Sequence, residues 1–151
     1  MDYIRYLRGM VGKKPVIVVT VDVAIFNAER ELLLQHRAKD GTWGLIGGFM
    51  ELGEAVEDAA RREVLEETEL KLGRLDLLGV FSETEYLTYD NGDCVQLVTI
   101  GYLTDEVTGT PKLSSEGLEL RYFPLDALPE PLFAPNAPIF AAIRQRFAPR
   151  I

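Results

Sequence analysis

GFMELGEAVEDAARREVLEETEL, residues 48–70, crowds Glu63, Glu66, Glu67 and Glu69 into a short run. Like charges three or four residues apart repel each other on a helix. A helix over 54–70, turned at about 100° per residue, puts Val56, Ala59, Ala60 and Leu70 on one arc. Glu63, Glu66 and Glu67 fall on that same arc. Glu57, Asp58, Arg61 and Glu69 lie opposite, with Leu65 among them. A charge run is ordinarily a solvated face, but here the solvated face is the other one. Carboxylates turned toward the body of a protein are costly unless they are paired or hold a metal. The i, i+3, i+4 spacing brings the three side chains together, and hard oxygen donors suit Mg²⁺ or Mn²⁺.

The residues just before, WGLIGGFMELGE (43–54), place Gly44, Gly47, Gly48 and Gly53 in what reads as a glycine-rich loop entering the helix. Such a loop lets backbone approach a ligand closely, and a helix N-terminus favours an anion. Alone the loop is a weak signal. Joined to a carboxylate-bearing helix, it points to one metal–phosphate site.

Gly48 to Leu70 resembles the box of the Nudix (MutT-like) hydrolase family, G-x5-E-x7-R-E-U-x-E-E-x-G-U, where U is a bulky apolar residue. Gly48, Glu54, Arg62, Glu63, Val64, Glu66, Glu67 and Leu70 match it. LLLQHR (32–37) and SSEGLELRYFPLDALP (114–129) are also similar to this family, so the resemblance covers nearly all of the chain. It implies an α/β/α sandwich around a mixed sheet over residues 1–151 as one domain. It implies metal-dependent hydrolysis of the pyrophosphate in a nucleoside diphosphate derivative, with Mg²⁺ or Mn²⁺ as cofactor. Glu63 and Glu67, one helical turn apart, are the first metal ligands expected. Glu66 is the next, and the carbonyl of Gly47 matches a backbone ligand. Gly48 brings backbone against the substrate, and Arg37 matches a phosphate contact. Arg62, off the carboxylate arc, orients a glutamate, and Glu54 stands behind it. Glu116 resembles a distal glutamate that supplies a further ligand or the general base, so Glu66, Glu67, Glu116 and Arg62 form the expected catalytic set. The competing reading is a catalytically silent Nudix domain that binds a nucleotide such as ADP-ribose; loss of the carboxylates would be its mark, and all are present.

Two positions depart from the pattern. Ile46 stands where many relatives have Pro. Glu69 stands where the box has Gly, so either Glu69 takes a left-handed conformation or the helix runs on toward Gly73.

The rest of the chain supports a small-molecule enzyme. Its 151 residues, 47% hydrophobic and 26% charged, fit one domain with a sizeable core. The net charge of −8 argues against long nucleic acid. No run is apolar enough for a membrane span, and MDYIRYLRGM is too polar for the core of a signal peptide, so a cytoplasmic location is expected. The N-terminal segment, read as a short helix over 2–11, is available as a homodimer contact. Cys94 and His36 are single, which excludes a disulfide framework and His-rich zinc sites. Strands are expected at 16–27, 31–37, 75–89, 94–103 and 118–125. Asp90-Asn91-Gly92-Asp93 reads as a hairpin turn with Asn91 and Gly92 both at positive φ. Asn136 is expected to cap a last helix carrying Ile139, Ala142, Ile143 and Phe147. Trp43 packs the loop. Phe81, Tyr86 and Tyr89 are equally suited to core packing and to stacking on a base.

Overall fold

A computed structural model describes residues 2–148. Strand β1 (Val16–Ile25) is its organising element, a run of β-branched residues that fits a buried sheet position. Along it, side chains alternate between two cores. Val21, Val23 and Ile25 join Ala59, Ala60 and Val64 of one helix, whereas Ala24 and Phe26 join Ile139, Phe140 and Ile143 of another. That alternation is the period of two in a strand, and it puts a helix on each face of the sheet. The expected α/β/α arrangement around a mixed sheet is therefore present.

In chain order the elements are α1 (Tyr3–Val11), β1, β2 (Leu32–Arg37), β3 (Trp43–Gly44), β4 (Ile46–Phe49), α2 (Val56–Thr68), β5 (Lys71–Leu72), β6 (Asp76–Ser82), β7 (Leu87–Thr88), β8 (Cys94–Thr104), β9 (Val107–Thr108), β10 (Gly117–Phe123), a 3₁₀ turn (Ala134–Asn136) and α3 (Ala137–Arg146). The main sheet runs β4-β1-β8-β6, with β7 also on β8. β1 and β8 are parallel; the other pairs are antiparallel. A second sheet runs β10-β2-β3, and β5 pairs with β9. Among the described residues no helix is long and apolar enough to cross a membrane.

Several expectations change. Gly47 and Gly48 are not in a loop: they belong to β4, where Gly47 pairs with Asp22 and Gly48 with Val21. Their tolerance for positive φ is not used. Of the four glycines only Gly53, at φ 80°, needs it. The strand expected over 75–89 is split into β6 and β7. In the turn after β7 only Gly92 has positive φ (88°), and Asn91 does not. Tyr89 N–H donates to the Asp93 carbonyl at 2.8 Å, closing a three-residue loop instead of a two-residue one.

Asn136 precedes α3 without capping it. Its side chain is drawn sideways: Leu45 N–H donates to its Oδ1 at 3.0 Å, and its Nδ2 donates to Asp22 Oδ2 at 3.2 Å. Trp43 packs as expected, stacked on His36 and edge-on to Phe123.

Candidate active site

β1, β2, β4 and α2 together wall a cleft of about 1290 Å³. Lining it are Asp22, Arg37, Gly47, Gly48, Arg62, Glu63, Glu66, Glu67 and Glu116. The sequence-expected site residues thus share one concavity, although they come from β2, β4, α2 and the loop before β10.

The glycines of β4 are there for room. A Cβ on Gly47 would sit 2.1 Å from Asp22 Oδ1 and from the Val21 carbonyl oxygen. A Cβ on Gly48 would sit 2.4 Å from the carboxyl carbon of Glu63. Carboxylates of β1 and α2 therefore lie directly against β4 backbone, which only glycine permits.

Arg62 organises the helix side. Its Nε and Nη2 donate to both oxygens of Glu54 at 3.0 and 2.8 Å, a two-pronged pair. Nη2 also reaches the Phe49 carbonyl at 3.0 Å, and Nη1 donates to Glu63 at 2.9 Å and Glu66 at 3.2 Å. One guanidinium thus fixes β4, the loop before α2 and two glutamates of α2. The hydrogen bonds from Arg62 hold Glu54 below the usual carboxylate range. Glu54 also accepts Glu51 N–H at 2.7 Å, and Glu51 in turn accepts Tyr3 N–H at 2.9 Å, so α1 is tied to this network.

The three arc glutamates do not share one environment. Glu67 is buried, at 7% exposure, and Glu63 is half-buried, whereas the Glu66 side chain is 58% exposed at the rim. Glu66 thus departs from the inward-facing arc, because α2 meets the sheet along Ala59, Ala60, Val64 and Glu67.

Burial pushes Glu67 up to about 9, helped by a hydrogen bond and repulsion from Glu116 and by the charges of Glu63 and Asp22. Burial also raises Glu63 against the pull of Arg62. Glu116 comes from the loop before β10, and its backbone carbonyl accepts Ala38 N–H at 3.2 Å. The Arg37 guanidinium lies 3.8 Å over the Phe133 ring and pairs with Asp40 at 3.2 Å. Tyr89 lines the same cleft, with Lys39 5.0 Å above its ring; Tyr86 and Phe81 do not line it.

Asp22 was not foreseen. Burial pushes it up to about 7, against the charge of Arg37 and the hydrogen bond from Asn136. The sign in the sequence was the one charged residue in a mostly apolar strand. Its partner Asn136 lies 114 residues away and carries no such sign.

The donor set fits a divalent cation in kind. Asp22, Glu63, Glu66, Glu67 and Glu116 bring hard oxygens to one cleft, and Glu67 is raised first by burial and then by its neighbouring carboxylates. Their present spacing is not that of a closed cage: among the described residues no three His, Cys, Asp or Glu side chains stand at ligand spacing. Arg62 holds Glu63 and Glu66 to one side, and Glu67 turns to Glu116.

The family sequence model described as NUDIX domain matches residues 16–143. The chain belongs to the Nudix family. Over 117 residues it is 33% identical to an ADP-ribose pyrophosphatase of Methanocaldococcus jannaschii, covering 76% of this chain and 66% of that protein. It is 30% identical over 136 residues to the NAD-capped RNA hydrolase NudC of Mannheimia succiniciproducens, covering 85% of this chain and 47% of that one. This Nudix chain thus spans about two thirds of the first relative's length and about half of the second's. The crystal structure of a MutT NUDIX hydrolase from Burkholderia pseudomallei superposes with a TM-score of 0.73 at 30% identity, over 86% of this chain and 98% of that one.

Proposed function

We propose that this Nudix protein hydrolyses the pyrophosphate linkage of a nucleoside diphosphate derivative, of nucleotide or nucleotide-sugar type, with Mg²⁺ or Mn²⁺ bound. The observation that carries the reading is the set of five carboxylates lining one cleft, Asp22, Glu63, Glu66, Glu67 and Glu116, with Asp22 and Glu63 seated against glycine backbone and Glu63 and Glu66 held by Arg62. Glu63, Glu66 and Glu67, with the Gly47 carbonyl, would hold the metal. When bound, a divalent cation neutralises phosphate oxygens and lowers the pKa of a coordinated water.

The chain's own residues supply the rest. Arg62 orients Glu63 and Glu66 and keeps their carboxylates from splaying. Gly47 and Gly48 let Asp22 and Glu63 seat against β4, and Arg37, which lines the same cleft, meets a phosphate oxygen. Glu116, which lines the cleft with Glu67, accepts the proton of the attacking water. The water oxygen forms the new bond to phosphorus. The anhydride oxygen leaves with the other phosphate, which gives two phosphorylated products.

The relatives' names put ADP-ribose and NAD-type dinucleotides first on a substrate panel, followed by nucleotide sugars, dinucleoside polyphosphates and (d)NTPs. Turnover that appears with Mg²⁺ or Mn²⁺ and vanishes with a chelator is the expected result. Folded protein that releases no phosphorylated product from the whole panel, with either metal, would falsify the reading.

A further inference from the structure

Gln35 lies on β2 two residues before Arg37, so the two side chains leave the same face of the strand. Both line the cleft. Gln35 is 5% exposed, and its Nε2 is fully buried without a hydrogen-bond partner. Among the described residues it is the one buried side-chain nitrogen or oxygen left in that state. A buried donor without an acceptor costs stability, and native proteins rarely keep one without a reason.

The surroundings leave room for this amide. The carboxamide lies over Gly117, which pairs with Arg37 across β10 and β2. A Cβ at Gly117 would come 2.6 Å from Nε2 and 2.8 Å from Cγ. Gly117 has no positive φ to explain it, so it serves as space for Gln35. The register of β10 then slips between Gly117 and Glu119, a bulge of the kind that re-aims residues beside active sites. Glu116 is the next residue out.

We propose that Gln35 is a substrate contact whose carboxamide turns out from over Gly117 into the cleft and donates a hydrogen bond to a diphosphate oxygen of the nucleotide. The inference rests on the hydrolase reading above. A neutral donor suits this place. Lys or Arg here would add positive charge to a cleft lined by Glu63, Glu66, Glu67 and Glu116 and oppose a cation there. An amide instead offers a hydrogen to phosphate oxygen and leaves the negative charge intact. Beside Arg37, it gives the diphosphate two donors from one strand face.

Gln35→Met keeps the length and shape of the side chain and removes the amide. Its KM should rise roughly tenfold or more, the scale of one hydrogen bond to a charged group. The Tm without ligand should equal or exceed that of the unaltered protein, because an unpartnered donor has gone. The rise in Tm caused by α,β-methylene ADP-ribose, and that caused by imidodiphosphate, should both shrink. Unchanged KM and unchanged ligand-induced rises would overturn the inference. So would a lower ligand-free Tm with normal ligand responses, which would mean that a buried water satisfies the amide. A response lost for the ADP-ribose analogue and kept for imidodiphosphate would move the contact to base or sugar and overturn the diphosphate assignment. If the unaltered protein turns over nothing, the hydrolase reading fails while the Tm responses still decide Gln35; no response to either probe overturns both.

Discussion

Glu67 is where burial and charge conflict most sharply. It is buried, faces Glu116, and lies within the field of Glu63 and Asp22, so burial and crowding push its carboxyl up to about 9. A carboxyl this reluctant to ionise alone is one that a cation would relieve. Glu67→Gln keeps the shape and still offers an N–H to Glu116, but it removes a charged ligand. Its kcat should fall by at least about a hundredfold, the usual scale for such site residues, and Glu63→Gln should behave alike. At pH 8 ligand-free Glu67→Gln should melt no lower than the unaltered protein. Gly48→Ala tests Glu63 from the β4 side, since its Cβ would drive into that carboxylate; kcat should fall although every ligand remains. Near-normal turnover in both glutamine variants, measured with saturating Mg²⁺, would place the cation elsewhere.

At the scale of elements, α2 ends as the left-handed alternative requires. Glu69 has φ 61° and ψ 10°, its N–H returns to the Leu65 carbonyl, and Thr68 Oγ1 accepts Leu70 N–H at 3.2 Å. The chain turns there into β5, and the helix does not run on toward Gly73. A residue with a Cβ loses roughly 1–2 kcal/mol in this region, and glycine does not. Glu69→Gly should therefore gain about 1 kcal/mol, less the extra freedom of glycine in the unfolded chain. That gain corresponds to a Tm rise of roughly 2–4 °C in a domain of this size. The exposed pair with Lys112, at 3.6 Å, adds little. Thermal unfolding should show the rise with kcat/KM unchanged; a lower Tm would mean that the Lys112 contact outweighs the backbone strain. This helix and its glutamates were legible in the sequence because their signals are local, i to i+4, whereas its stop stood between two alternatives that only the backbone at Glu69 decides. The setting of the site was not. Nothing near Gly47 and Gly48 separates a glycine needed for positive φ from one needed for room against Asp22 and Glu63. Asn136 looked like a cap, since only the folded chain brings it to Asp22 and Leu45. Glu66 looked inward because an ideal arc does not say which of its edges the sheet covers.

For the whole molecule, these local tensions become a dependence of stability on pH. Folding raises Glu67 from an ordinary 4.5 to about 9 and Asp22 from 3.8 to about 7, and burial moves Glu63 the same way. The folded protein then binds these protons more tightly than the unfolded chain. The stability they contribute is full below the unfolded values and is lost as pH rises through 7 and then 9. Glu54 and Asp40 are lowered instead, so their contribution is lost only as pH falls below the ordinary carboxylate range. Between pH 5 and pH 9 the raised group governs. Without metal, Tm should fall steadily across that window, and Glu67→Gln should flatten most of the fall. A divalent cation binds the ionised carboxylates and stabilises whichever state holds it. Excess Mg²⁺ should therefore raise Tm more at pH 8 than at pH 6 and reverse much of the slope. A metal-free Tm that rises from pH 5 to pH 9, or an Mg²⁺ effect that is larger at pH 6, would mean that these carboxyls are already ionised and paired in the folded protein. The cleft would then be balanced without a cation.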